Sequence, residues 1–332
     1  MSVNAPAVLH HNAGRKVLCI CGSINQTSQM AEIAGELPEC ECYFTPHYAD
    51  GLLELARRAG LLERTVLGDK LVARCLAYLE ARSLRIDLRG THHEYDLVLI
   101  PSDLTVQRNI RRRNIILVQE GMTDPEDFRY RLVRTFRFLP RWLASTAATG
   151  LSDLYHRFCV ASEGYRDLFI RKGVRPEKIV VTGIPNFDNC ASFLNNRFPH
   201  RHYVLACTSD ARETLAHENR KAFIRRAVAI ARNRQLIFKL HPNEDVRRAT
   251  REIRSHAPGA LVFEDGNASE MVANCDVLIT HLSSTAYIGL ALGKEVYSTF
   301  DLDTLRTLLP LQNASAGRNI ARVCRELIGA GH

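Results

Sequence analysis

The chain is poor in tryptophan (one residue), methionine (four) and aromatics overall (7%). No apolar run approaches the roughly 18–20 residues that span a bilayer, so no transmembrane helix is expected. The stretch Met1–Lys16 lacks a basic segment followed by an apolar one, which argues against a secretory signal. Residues 1–15 are expected to form a short flexible arm. Ten cysteines are scattered, with Cys19, Cys21, Cys159 and Cys207 inside apolar runs. Cys40 and Cys42 flank Glu41, but no second pair stands at zinc-finger spacing. Buried free thiols in a reducing cytoplasm fit this usage better than a disulfide scaffold or a zinc module. Internal repeats and low-complexity tracts are also missing.

What is present suits a globular protein with ample core. The 332 residues are 46% hydrophobic and 24% charged, enough for two domains of about 150 residues each. A net charge of +8, mostly from arginine, favours an anionic partner such as a nucleotide phosphate, an acidic glycan or anionic lipid headgroups. No nucleic-acid-binding motif accompanies the charge, so nucleic acid is not expected as a partner.

Apolar runs alternate with amphipathic stretches along the whole chain. Lys16–Cys21, Cys42–Phe44, Leu97–Ile100, Ile115–Val118, Phe158–Ala161 and Ile179–Thr182 read as strands. Helices are expected near 28–37, 51–59, 69–82, 128–143 and 163–172. The turn-rich Thr182-Gly183-Ile184-Pro185-Asn186-Phe187-Asp188-Asn189 looks like an exit from the first domain. A second series follows, with strands at 203–207, 236–240, 260–263, 277–280 and 295–298 and helices at 217–232, 245–256, 268–274 and 285–292. Strands separated by helices imply βαβ units and parallel sheets. The expected domains are 16–190, 200–312 and a C-terminal helix and tail, 313–332, whose helix could pack on either of the others. The fold class is thus α/β: two Rossmann-like, doubly wound domains facing an interdomain cleft.

Two segments follow strands of the second domain. Lys239-Leu240-His241-Pro242-Asn243-Glu244 ends one strand, and His281-Leu282-Ser283-Ser284-Thr285-Ala286 ends another and opens a helix. Pro242 stops the strand and biases His241 to extended backbone, turning a histidine out of the sheet's carboxyl end. Ser283, Ser284 and Thr285 offer hydroxyls and backbone N–H groups at a helix start, where anions bind and where Ser and Thr also serve as ordinary caps. Lys239 adds a cation.

In the first domain Gln119-Glu120-Gly121 follows a strand, and Glu120 suits a general base beside a permissive glycine. Gly22, Ser23 and Asn25, after the first strand, are candidates on the acceptor side, with Asp103 as a weaker candidate base. Asp301-Leu302-Asp303 has the look of a metal-binding DxD but reads as a turn and helix cap. Arg131, Arg134, Arg137 and Arg141 recur at three- and four-residue spacing between Phe128 and Leu143. That pattern makes either a basic amphipathic helix on an anionic membrane surface or a core-packed helix with a solvated arginine face.

An acidic residue before Gly, then His-Pro, then Ser-Ser-Thr, in this order over two Rossmann-like domains, resembles the bacterial GT-B transferases that use cytidine-activated donors. These include the sialyl- and polysialyltransferases, the Kdo transferases and the CDP-glycerol glycerophosphotransferases. Val181–Asp188 is similar to the interdomain segment of the last group and places Gly183 and Asn186 near the donor. The resemblance covers most of residues 110–300. It implies that His241, Ser283, Ser284 and Thr285 hold the donor's phosphate and nucleotide and that Glu120 is the base; Lys239 and Pro242 are further candidates on the donor side. Gln119 stands where these transferases often carry a second acid.

The non-hydrolysing UDP-GlcNAc 2-epimerases share a comparable His-Pro-Asn. In them a Gly-Thr-Arg-Pro-Glu-like loop should follow the first strand, whereas this chain has Gly22-Ser23-Ile24-Asn25-Gln26. Their histidine–arginine run before Glu-Asn is also missing, with His217-Glu218-Asn219 a faint echo. The expectation is therefore a metal-independent, cofactor-free inverting transferase. It would move a sugar or glycerophosphoryl group from a nucleotide-sugar or CDP-alditol to a surface glycan or lipid-linked acceptor. Its expected place is the cytoplasm, or peripherally the inner membrane face. An epimerase and a non-catalytic nucleotide-sugar-binding protein are the alternatives.

Overall fold

The computed structural model describes residues 14–60, 62, 65, 67–136, 138–209, 218–281 and 283–330. The expected N-terminal arm, Arg137 and His217 therefore fall wholly or mainly outside the described residues. Six strands, β1 (Lys16–Cys21), β2 (Glu41–Pro46), β3 (Leu97–Ile100), β4 (Ile115–Val118), β5 (Arg157–Val160) and β6 (Ile179–Val181), form one sheet of order β2-β1-β3-β4-β5-β6. A second sheet holds β7 (Val204–Cys207), β8 (Leu236–Lys239), β9 (Leu261–Phe263), β10 (Val277–Ile279) and β11 (Glu295–Tyr297) in the order β11-β10-β7-β8-β9. Pairing is parallel in both.

The helices are α1 (Ile24–Gly35), α2 (Gly51–Arg58), α3 (Asp69–Ala81), α4 (Phe128–Thr135), α5 (Glu163–Lys172) and α6 (Arg220–Ala231). They continue with α7 (Val246–His256), α8 (Ala268–Asn274), α9 (Thr285–Ala291), α10 (Leu302–Thr307) and α11 (Ala316–Gly329). Two Rossmann-like parallel α/β sheets result, as the alternation of apolar and amphipathic runs requires.

The inner strands β1, β3, β4, β7, β8 and β10 are buried on both faces, so their sequences are nearly continuous apolar runs rather than alternating ones. Val17 through Cys21 and Ile115 through Val118 are wholly buried. Each such aliphatic side chain contributes about 1.5–3 kcal/mol on leaving water. In the second sheet Val204, Ala206, Phe238, Val277 and Ile279 pack with Phe223, Ile224 and Ala227 of α6 and Ile253 of α7.

The chain forms two compact units. One contains the described residues through Val118, with Ser152–Phe158 and those from Gly317 onward; the other contains Gln119–Leu151 and Cys159–Ala316. In the first, α11 lies by α1: Arg325 pairs with Glu39 at 2.6 Å and donates to the Glu36 carbonyl. A side chain added at Gly317 would meet Glu32 and Glu36.

One expected helix is corrected. The stretch 128–143 does not form a single helix: α4 ends at Thr135, and a 3-10 segment, Arg141–Ala148, begins after Pro140. A proline has no N–H for the carbonyl four residues back, here Phe136, and its ring clashes with that carbonyl. The regular arginine stripe is thereby interrupted. Asp301 accepts from Thr304 N at 2.8 Å and caps α10, the role read for it in the sequence.

A buried histidine gives the first unit a pH dependence. His47 Nε2 lies 2.9 Å from Thr105 Oγ1, and burial pushes its pKa down to about 4. The folded imidazole is neutral, whereas in the unfolded chain it protonates near pH 6.5. Its stabilising contribution is thus complete above pH ~6.5 and is lost as pH falls towards 4, on the order of 3 kcal/mol in all. Urea unfolding of the wild type and His47→Gln at pH 7 and pH 4.5 should show a smaller acid loss for the variant. Parallel losses would refute the buried neutral state.

Candidate functional site

In the second sheet the chain enters at β7, builds outward through β8 and β9, then returns to place β10 on the other side of β7. The carboxyl ends of β7 and β10 are therefore a topological switch point, where open α/β sheets leave a crevice for ligands. Thr208 follows β7, His241 lies just beyond β8, and His281 through Thr285 follow β10.

Beneath these ends runs a chain of buried charges that sequence reasoning missed. Glu244 accepts from Thr208 Oγ1 through one oxygen and from Arg220 Nη2 at 2.6 Å through the other. Arg220 meets Glu218 side-on, with Nε–Oε1 and Nη2–Oε2 both 3.0 Å. Glu218 Oε1 then lies 3.5 Å from His281 Nε2. The Arg220 and Glu218 side chains are 3% exposed and that of Glu244 is fully buried. His281 packs against Phe223 with the rings tilted by 31° and 4.5 Å between their centres, and its pKa is lowered chiefly by burial, against the pull of Glu218. Glu218, Glu244 and His281 were visible within the singled-out segments. Only the meeting of both glutamates at Arg220, with His281 beside Glu218, assigns them a task, and no spacing in the sequence encodes that.

The chain of charges fixes the His-Pro turn. Glu244 N donates to the His241 carbonyl at 3.0 Å, closing a four-residue turn with Pro242 at its second position, where its fixed φ fits. His241 N donates to Glu244 Oε2 and Thr208 Oγ1, both at 3.0 Å. Its Nδ1 accepts from Asn243 N at 3.3 Å, so a neutral ring carries its proton on Nε2. Lys239 is buried, its ammonium donating to the carbonyls of Leu240 (2.8 Å) and Glu264 (3.0 Å), and burial lowers its pKa. Two of its three donors thus hold the chain.

The three hydroxyls diverge. Ser283 Oγ lies 2.9 Å from Thr285 Oγ1 and accepts from Thr285 N at 3.3 Å. Ser284 instead accepts from Met122 N at 3.1 Å, in the loop after Glu120-Gly121. A Cβ at Gly121 would stand 2.9 Å from Ser284 Oγ, so a side chain there would push that hydroxyl from its place. Glu120 and the Ser-Ser-Thr segment are therefore neighbours within one compact unit. Behind them Tyr165 and Tyr287 share a 2.7 Å hydrogen bond between hydroxyls.

Gln119 is 1% exposed and staples this loop: its Oε1 accepts from Ala161 N at 2.9 Å and its Nε2 donates to the Gly121 carbonyl at 2.8 Å. An ionised acid could accept from Ala161 but could not donate to Gly121. Gly183 (φ +77°) permits the turn that brings its backbone to Ala316, whose N–H donates to Asp188 at 2.8 Å. Asn186 is half-buried in the short 3-10 turn Pro185–Phe187.

The remaining candidates belong to the first unit. Gly22 is buried at the end of β1. Ser23 caps α1 in a reciprocal capping box with Gln26, and Asn25 is exposed in its first turn. Asp103 is fully buried and accepts from Ser152 N at 2.9 Å.

No sequence family and no curated protein matches the chain. Solved structures do. A Methanocaldococcus jannaschii UDP-GlcNAc 2-epimerase in complex with UDP-GlcNAc and UDP superposes with a TM-score of 0.57 at 12% identity, over 94% of this chain and 99% of that one. The S. aureus MnaA–UDP structure gives 0.56 at 13% identity over 95% and 88%. Anabaena HepE in complex with UDP and glucose gives 0.52 at 14% identity over 95% of each chain. The fold is GT-B-like. At these identities the likeness extends to the fold alone.

Two substitutions test the supports of the site. Arg220→Met strands two buried carboxylates and should cost about 3–5 kcal/mol in urea unfolding, most of it recovered when Glu218→Gln and Glu244→Gln are added. Additive losses would contradict the charge chain. Gln119→Glu removes the donor to Gly121 and should cost about 1–3 kcal/mol at pH 7. An unchanged midpoint would show that the staple is not needed.

Proposed function

We propose that the chain is an inverting transferase that works without a metal. It moves a sugar or glycerophosphoryl group from a CMP-, CDP- or UDP-linked donor to a surface glycan or its lipid-linked precursor. One observation carries this reading: the Glu120-Gly121 loop is hydrogen-bonded to the Ser284 hydroxyl, which follows β10 at the switch point, and His241 lies just beyond β8, the strand next to β7. A carboxylate thereby stands in the same unit as a set of hydrogen-bond donors suited to a phosphate.

In this mechanism the donor's phosphates lie at His241, Ser283 and Thr285. The Nε2–H of His241 and the two hydroxyls stabilise the charge that grows on the leaving phosphate. These groups are held before substrate arrives, His241 by Glu244 and the hydroxyls by each other. Glu120 takes the proton of the acceptor hydroxyl as that oxygen attacks.

A second reading, a UDP-sugar 2-epimerase, draws support from the UDP-GlcNAc and UDP bound to the similarly folded Methanocaldococcus jannaschii protein. The loop Gly22–Gln26, with neither arginine nor acid, speaks against it. Thermal denaturation with CMP, CDP, UDP and GDP should pick out one nucleotide, whose binding at 100 times its Kd adds about 2.7 kcal/mol. With that nucleotide's activated donors and a glycan acceptor, Glu120→Gln should lower kcat by about 10²–10⁴ while binding persists. Formation of UDP-ManNAc from UDP-GlcNAc without acceptor would overturn the transferase reading. Donor binding without any turnover would instead point to a binding protein.

A further inference from the structure

The segment around the helix break at Pro140 carries large apolar side chains in water. Between Phe128 and Leu143 there are five arginines and no acidic residue. The same sixteen positions hold six of the thirteen large hydrophobic side chains exposed among the described residues: Phe128, Leu132, Phe136, Phe138, Trp142 and Leu143. Every exposed phenylalanine or tryptophan of those residues is in this stretch, and Phe138 is 82% exposed. Single exposed apolar residues are ordinary, but a concentrated group of aromatics is not.

The stretch is firmly based. Tyr130 and Val133 of α4 are buried, as are Ala144, Ala147 and Ala148 of the 3-10 segment. Lys172 Nζ donates to the Ala147 carbonyl at 2.9 Å, and Thr146 Oγ1 donates to Asp124 at 2.8 Å. Phe136 and Phe138 lie 5.9 Å apart, ring centre to ring centre. The Arg129 guanidinium lies 5.8 Å from the ring of Phe128. Cations and aromatic rings are thus interleaved on one anchored protrusion.

We propose that this α4–3-10 protrusion is a docking surface for an anionic lipid bilayer. Charge complementarity selects the occupant. Arginine flanks, with no acid among them, match phosphate headgroups, and phenylalanine and tryptophan settle at the boundary between headgroups and acyl chains. An apolar partner protein alone would leave the arginines desolvated without countercharge. The surface needs no regular amphipathic helix, because the six exposed apolar side chains and the arginines stand close together along one short anchored segment. It involves none of the residues assigned to the donor, so it stands or falls separately from the transferase reading.

Trp142 is the chain's one tryptophan and reports directly on this surface. Vesicles of phosphatidylcholine alone and of phosphatidylcholine with 30–40% phosphatidylglycerol (about 1 kcal/mol per arginine near such a surface) should be titrated while its emission is followed. The expected result is a blue shift and co-flotation with the anionic vesicles only, weakened by salt. Arg131→Gln and Arg134→Gln should each lower vesicle affinity about fivefold. Phe138→Ser should lower it while leaving the thermal midpoint unchanged, since that side chain is in water. Equal flotation with neutral and anionic vesicles would overturn the proposal. So would an unshifted Trp142 emission, or a self-association in sedimentation that Phe138→Ser abolishes.

Discussion

A guanidinium buried between two carboxylates carries the carboxyl edge of the second sheet. Arg220 has its side chain 3% exposed and meets Glu244 at 2.6 Å and Glu218 at 3.0 Å. Moving three charges out of water is costly, and their attraction offsets the cost only when geometry and hydrogen bonding are good. Here the second oxygen of Glu244 takes the Thr208 hydroxyl and the His241 N–H. The ion chain therefore joins the residue after β7 to the turn after β8, and through Glu218 it reaches His281 after β10. Three loops that would otherwise be independent share one electrostatic frame. Such a frame suits a site that must hold hydrogen-bond donors still before substrate arrives.

A second staple works with neutral groups. Gln119 uses its amide as acceptor and donor at once, tying the loop of Glu120 to Ala161. Ser284 then receives Met122 N. The serine triplet consequently divides its work: Ser283 and Thr285 stay together at the start of α9, and Ser284 fastens the neighbouring loop. At seven residues α9 adds little cumulative dipole, so hydroxyls and backbone N–H groups carry any affinity for an anion.

Much of the architecture was legible because parallel sheets announce themselves. Leu97–Ile100 and Ile115–Val118 are apolar at every position, and the structure places β3 and β4 on those same residues. Lys16–Cys21 behaves in the same way. The helix expected over 128–143 failed for a local reason, Pro140, that periodicity overlooks. Arginines at three- and four-residue spacing look helical whether or not the backbone can follow. Lys239 reads as a ligand cation by position, yet two backbone carbonyls occupy its ammonium. The partner of α11 was open in the sequence, since its apolar face suits either domain. Arg325 meeting Glu39 decided it.

The sequence by itself determined the class of fold, the alternation of strands and helices, and the two polar segments after β8 and β10. These are properties of nearest neighbours along the chain: apolar runs, turn formers and caps. Tertiary structure alone decided that Arg220 would bridge Glu244 and Glu218, that Ser284 would reach Met122, and that an interrupted helix would hold its aromatic rings in water. Each of those depends on distances between residues far apart in the chain or on where the backbone leaves the helix, and composition and period carry no record of either.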